Sequence, residues 1–135
     1  MKKILVLHRS QDACELLVEY LKIMGMNGAN KIETYTDGAK AAEAVKSEIC
    51  DIRLLVTADI LPSVSGEEIA KLAKGLAREE GIDVPVLLVT AKDPDIALFK
   101  EAHQRFQSIG NGILVEPFSR KAFQDAVREA IAACN

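Results

Sequence analysis

The sequence predicts a doubly wound α/β fold, a five-stranded parallel sheet flanked by five helices, in a single domain over residues 1–135. Three observations predict it. Short apolar runs alternate with longer stretches of helical periodicity, five times in succession. All but the second of those runs are continuously apolar, as strands covered on both faces must be. A strand followed by a helix, repeated, makes right-handed crossovers and a parallel sheet.

The first strand is KILVL (3–7). Ser10 N-caps a helix in which Cys14, Leu17, Leu21 and Met24 recur on one side, widened by Leu16 and Tyr20. Gly25 and Gly28 end it. KIETYT (31–36) is the second strand, and Asp37 caps GAKAAEAVKSEI, whose alanines suit close packing on a sheet. RLLVTA (53–58) is the third strand. Ser65 caps a helix through EEIAKLAKGLAREE, with Ile69, Leu72 and Leu76 on one face. VPVLLVTA (84–91) is the fourth strand. Asp93 at the N-cap and Pro94 at the first helical position open a fourth helix that runs to Ile109. GILVE (112–116) is the fifth strand. Ser119 caps the last helix, which carries Phe123, Val127, Ile131 and Cys134 down one side.

Composition excludes several classes. Hydrophobic residues make up 49% of the chain, enough for a core and too many for a disordered segment. A net charge of −3 leaves no electrostatic footprint for nucleic acid. The apolar run in MKKILVLHRSQD is too short for a secretory signal and reads as the first strand. No run is long enough to span a membrane. Cys14, Cys50 and Cys134 are scattered and odd in number, so they form neither a disulfide framework nor a metal motif. Each reads as a small buried apolar residue in a reducing cytoplasm.

In a doubly wound sheet the functional cleft lies at the carboxyl ends of the strands. Those ends carry His8 and Arg9, Ala58 and Asp59, Thr90 and Ala91, and Glu116, Pro117 and Phe118. The segment LHRSQD after the first strand lacks the glycines of a phosphate-cradling loop, so no dinucleotide or nucleotide motif is present. His8, Asp59 and Glu116 are metal-ligating types, but no spacing supports a metal site. His103, among Phe99, Ala102 and Phe106, reads as an edge-of-core histidine rather than a catalytic base.

The order of KILVL, TDGAKAAEAV, Pro62 and Gly66 after the third strand, VPVLLVTA and VEPF resembles the receiver domain of response regulators, the CheY-like module of two-component signalling. The resemblance covers essentially the whole chain. It implies a flavodoxin-like sheet with strand order 2-1-3-4-5. It also implies a phosphorylation switch: an acid pair after the first strand holds Mg²⁺, and an Asp at the end of the third accepts a phosphoryl group. A Thr or Ser and a Lys then complete the site. Mg²⁺ wants hard oxygen ligands, and a phosphoryl group wants cations and fixed donors where charge develops.

Carried across by position, the acid pair falls on His8 and Arg9, the acceptor on Ala58 and the Lys on Glu116. Only Thr90 is retained. The aromatic that often reports the switch from the fifth strand is Ile113 here. Asp59 stands one residue past the acceptor position. Because successive strand side chains alternate faces, Asp59 is expected to point away from a cleft that Ala58 faces, as a solvated loop acid. A family set that is net negative becomes one with no net charge, which will not compete for Mg²⁺. An ion pair between Arg9 and Glu116 is expected across the cleft, with His8 as the lesser candidate for the same partner. The resemblance further implies a cis peptide before Pro117.

These readings give a receiver-like signalling module, not an enzyme, with no cofactor and no metal. It is not phosphorylated at the usual position and acts by binding protein. Its partner would be a histidine kinase, an effector or a second copy of the chain, with neither nucleic acid nor membrane involved. The partner face is expected on the fourth helix, fifth strand and fifth helix, around Ile96, Phe99, His103 and Ile113. The fourth helix is expected to be longer than the family's, with an apolar stripe too wide for one sheet face. One alternative is a receiver still phosphorylated, at Asp59. Another is a small-ligand binder or enzyme on the same fold.

Overall fold

The computed structural model describes residues 1–134. Its elements are β1 (Lys2–Leu7), α1 (Gln11–Ile23), β2 (Asn30–Tyr35), α2 (Gly38–Glu48), β3 (Ile52–Ala58), α3 (Gly66–Glu79), β4 (Val86–Thr90), α4 (Lys100–Ile109), β5 (Ile113–Val115) and α5 (Arg120–Ala133). The strands form one parallel sheet in the order β2-β1-β3-β4-β5. The expected architecture and strand order are therefore both present.

The strands are continuously apolar because alternate residues feed two separate cores. Leu5, Leu7, Leu55 and Leu88 pack with α2, α3 and α4, where they meet Val45, Ile69 and Phe106. Ile4, Val6, Leu54, Val56, Leu87 and Val89 pack with α1 and α5, where they meet Leu17, Phe123 and Val127. The sheet edge is half-buried, and β2 accordingly shows the mixed pattern that set it apart in the sequence.

Four helices begin where their caps predict. Ser10, Asp37, Ser65 and Ser119 each accept a backbone N–H from the first turn. The fourth helix differs. Asp93 accepts the Asp95 N–H at 2.9 Å, and its carbonyl accepts from Ile96 N at 3.2 Å, which closes a turn instead of starting a helix. Only a single 3₁₀ turn (Ala97–Phe99) precedes α4, which starts at Lys100. The physical reason is burial: Ile96 and Leu98 have no surface to pack on and are exposed. The extra length relative to the family pattern thus lies in the β4–α4 loop, not in a longer helix. Among the cysteines, Cys14 is buried and Cys134 half-buried, but Cys50 is exposed, contrary to the expected apolar role.

One glycine sets the floor of the strand ends. A Cβ on Gly66 would lie 1.6 Å from the Ala58 carbonyl oxygen, so no other residue fits there. The Gly66 N–H donates to the Asp59 carbonyl at 2.9 Å, which seats the start of α3 directly on the end of β3.

Candidate functional site at the carboxyl end of the sheet

The register of β3 and β4 decides where the polar residues go. Leu55 pairs with Val86 and Thr57 with Leu88, so the next same-face pair in that row is Asp59 with Thr90. The pairing does continue, because the Asp59 N–H donates to the Val89 carbonyl at 3.0 Å. Asp59 therefore emerges on the α3/α4 face with Leu55 and Thr57. It is 7% exposed and is not the solvated loop acid expected of it. Alternation itself holds: Asp59 does point away from the side that His8 faces. That direction leads under α4 rather than to solvent.

A buried carboxylate needs partners. Thr90 Oγ1 donates to Asp59 Oδ2 at 3.1 Å, and the Lys92 ammonium forms an ion pair with the same oxygen. Thr90 Oγ1 also accepts the Lys92 N–H at 3.1 Å, so the hydroxyl bridges acid and loop. Lys92 is then held by α4 twice. His103 Nε2 lies 2.5 Å from the Lys92 carbonyl, and since a carbonyl only accepts, that nitrogen carries the proton. The Lys92 ammonium sits 5.8 Å from the centroid of the Phe106 ring. Sequence reasoning missed Lys92. Its signal was its position two residues past Thr90, where alternation returns a side chain to the Thr90 face.

The opposite face of the rim carries a second pair. His8 Nδ1 accepts the Ser10 N–H at 3.1 Å, which leaves the ring proton on Nε2, and Nε2 donates to Glu116 Oε1 at 3.0 Å. Glu116 is thus bonded to His8. Arg9 is exposed and makes no ion pair among the described residues, so the expected Arg9–Glu116 pair is not formed. The reason is again alternation: His8 continues the inward row of Ile4 and Val6, and Arg9 turns outward. β1 and β5 are three strand spacings apart, roughly 14 Å. The bridge crosses the ends of β3 and β4, where Ala58 and Ala91 stand. Ala58 itself is 6% exposed and brings only a methyl group.

The Glu116–Pro117 bond is cis. Beneath His8, the Cys14 thiol lies 3.5 Å from the His8 carbonyl, and burial pushes its pKa up, which keeps it a neutral packing group. Between α1 and the β5–α5 loop opens a cleft of about 600 Å³, with His8, Ser10 and Glu116 at one end and Leu16, Leu17 and Phe118 among its walls.

The expected partner face is only partly exposed. His103 is 8% exposed and committed to Lys92, and Ile113 is half-buried against the core. Ile96 and Leu98 in the β4–α4 loop are 47% and 81% exposed, and Phe99 is half-buried.

The donor set does not fit Mg²⁺. Where the family pattern has an acid pair, His8 has both ring nitrogens engaged and Arg9 is a cation. Among the described residues no three His, Cys, Asp or Glu side chains gather where they could share a metal ion. Among the described residues no helix is long and apolar enough to cross a membrane.

No protein-family model matches the chain, and no curated protein matches it in sequence. Solved structures do match. A response regulator receiver domain protein from Clostridium thermocellum superposes with a TM-score of 0.77 at 17% identity, over 98% of this chain and 96% of that one. The chain has the receiver-domain fold. The receiver domain of the Francisella response regulator 1452 matches over 100% of both chains, with a TM-score of 0.70 and 18% identity. The Vibrio cholerae chemotaxis protein CheY4 matches with 0.71 and 20%, over 96% of this chain and 98% of that one. At these identities the likeness is one of fold, and any shared chemistry has to be argued from the residues.

Proposed function

We propose that this chain is a receiver-like signalling module, cytoplasmic and non-enzymatic, that uses no aspartyl phosphate and works by binding a protein partner such as a histidine kinase or an effector. One observation carries the reading. The family's acceptor position holds Ala58, and Asp59 beside it is turned away from His8 and Glu116, with its charge answered by Lys92. In the family scheme the phosphoryl group recruits a threonine and a lysine. Here Thr90 and Lys92 are recruited by Asp59 itself, and they hold α4 through His103 and Phe106. The partner face is the β4–α4 loop with α4, β5 and α5, led by Ile96 and Leu98.

The same triad supports a second reading. Asp59 has a hydroxyl and an ammonium beside it, two of the groups that a phosphoryl acceptor needs. What it lacks is the acid pair. Incubation with acetyl phosphate and Mg²⁺, read by intact mass, separates the two. The expected outcome is no phosphoryl adduct. A stoichiometric adduct on Asp59 establishes the second reading instead. Ala58→Asp alone should not restore labelling, because His8, Arg9 and Glu116 still stand where acids and a cation are needed. For the partner face, Ile96→Glu with Leu98→Glu should abolish partner capture with the fold intact. Loss of capture on Arg9→Ala, with the loop variant unaffected, moves the working surface to the strand-end cleft.

A further inference from the structure

We infer that the cleft between α1 and the β5–α5 loop is a binding site for a small organic cation, a protonated amine on a compact apolar body. Its volume of about 600 Å³ lies within the range of small-molecule sites. The walls are apolar, and Leu16 on α1 is 51% exposed beside it, an apolar group that folding leaves uncovered.

The polar end has one charge with spare capacity. Both nitrogens of His8 are committed, one to the Ser10 N–H and one to Glu116. Ser10 Oγ already accepts the Ala13 N–H. Glu116 gives only Oε1 to His8, its side chain is 36% exposed, and among the described residues no lysine or arginine is paired with it. A neutral His8 in this tautomer leaves the pair with a net negative charge. The cleft therefore presents a carboxylate acceptor at one end of an apolar chamber. An ammonium answers the charge, and an apolar body answers the walls. A carboxylate ligand would meet Glu116 with like charge, and a neutral alcohol would forgo the charge-assisted contact.

The probes are hexylamine and phenethylamine, with 2-phenylethanol and phenylacetate as neutral and anionic counterparts of the second. Titration of the whole chain, followed by backbone amide NMR, should give saturable shifts at Leu16, Leu17 and Phe118 with both amines. Binding of 2-phenylethanol should be weaker by about ten-fold or more, and phenylacetate should not bind. Glu116→Gln should cost the amines a similar factor, and Leu16→Trp, at an exposed wall position, should fill the cleft and abolish binding. Unperturbed amide spectra away from the cleft show that each variant is folded. Overturning results are an alcohol that binds as tightly as the amine, amine binding unchanged in Glu116→Gln, or no saturable shift with either amine. The readout involves no phosphoryl group, so it stands or falls separately from the signalling role proposed above.

Discussion

On the α3/α4 side of the sheet, the Asp59 carboxylate and the Thr90 hydroxyl are buried and paired. Asp59 is 7% exposed, and its ion-pair partner Lys92, 27% exposed, sits against the Phe106 ring. On the α1/α5 side, the His8–Glu116 bridge lies at the surface beside an open cleft, with Glu116 36% exposed. The Asp59–Thr90 pair hangs on the ends of β3 and β4, and the His8–Glu116 bridge on the ends of β1 and β5, the strands that flank them. Phosphoryl transfer needs acids, acceptor, hydroxyl and cation converging on one point. Here the carboxylate, hydroxyl and lysine have gone to one face, and a histidine and a glutamate to the other. Neither face holds a full set. This chain has an interior clamp on one face and a surface bridge on the other.

The interior clamp should be the more costly to break. Lys92→Met leaves Asp59 buried without its counter-charge, at a cost of about 2–3 kcal/mol, the lower end for such pairs because Lys92 keeps some solvent contact. The measurement is urea unfolding. Replacing both partners, as Asp59→Leu with Lys92→Met, removes the charge together with its neutraliser and should recover most of that loss. If the single and double variants are equally destabilised, Asp59 does not depend on Lys92, and the clamp is not a unit.

A smaller loss tests the bridge between acid and loop. Thr90→Val removes the donor to Asp59 Oδ2 and the acceptor for the Lys92 N–H while keeping the shape. It should cost about 1 kcal/mol in the same unfolding assay. It should also speed amide exchange in the β4–α4 loop, because Thr90 joins that loop to β3 beside the Lys92–Asp59 pair. Unchanged exchange there, whatever the stability, means the Lys92–Asp59 pair and α4 hold the loop without Thr90.

The sheet was legible because its signals are local. Continuous apolar runs needed two covering layers, and Ser10, Asp37, Ser65 and Ser119 each announced a helix start that the fold uses. Asp93 and Pro94 carried the same kind of signal without a helix behind them, because a cap chooses where a helix begins only when the next turns have something to bury. The site was less legible because its geometry is a property of strand pairs. Alternation along β3 correctly turns Asp59 away from the side that His8 faces. What lies on the far side of Asp59 depends on the β3–β4 register and on α4, which no single segment contains. Glu116 faced the same ambiguity: two basic candidates, His8 and Arg9, follow β1, and only the direction in which each leaves the strand chooses between them.

That choice gives the smallest expected effect and the sharpest contrast between the faces. A partly exposed pair such as His8–Glu116 should couple by about 0.2–1 kcal/mol in a double-mutant cycle with His8→Ala and Glu116→Gln. Part of the cost of His8→Ala alone will come from the Ser10 N–H that it strands at the start of α1. The cycle cancels that part, because the N–H is lost equally with and without Glu116. The parallel cycle with Arg9→Ala should give a coupling near zero, since Arg9 leaves β1 outward and its charge is screened by water before it reaches Glu116. Raising the salt concentration should leave the His8 cycle nearly unchanged, as a neutral ring donating a hydrogen bond is not an ion pair to be screened. A coupling for Arg9 that equals or exceeds that of His8, and that fades with salt, would mean the outward residue swings back in solution. The surface side of the rim would then be held by charge, like the interior one.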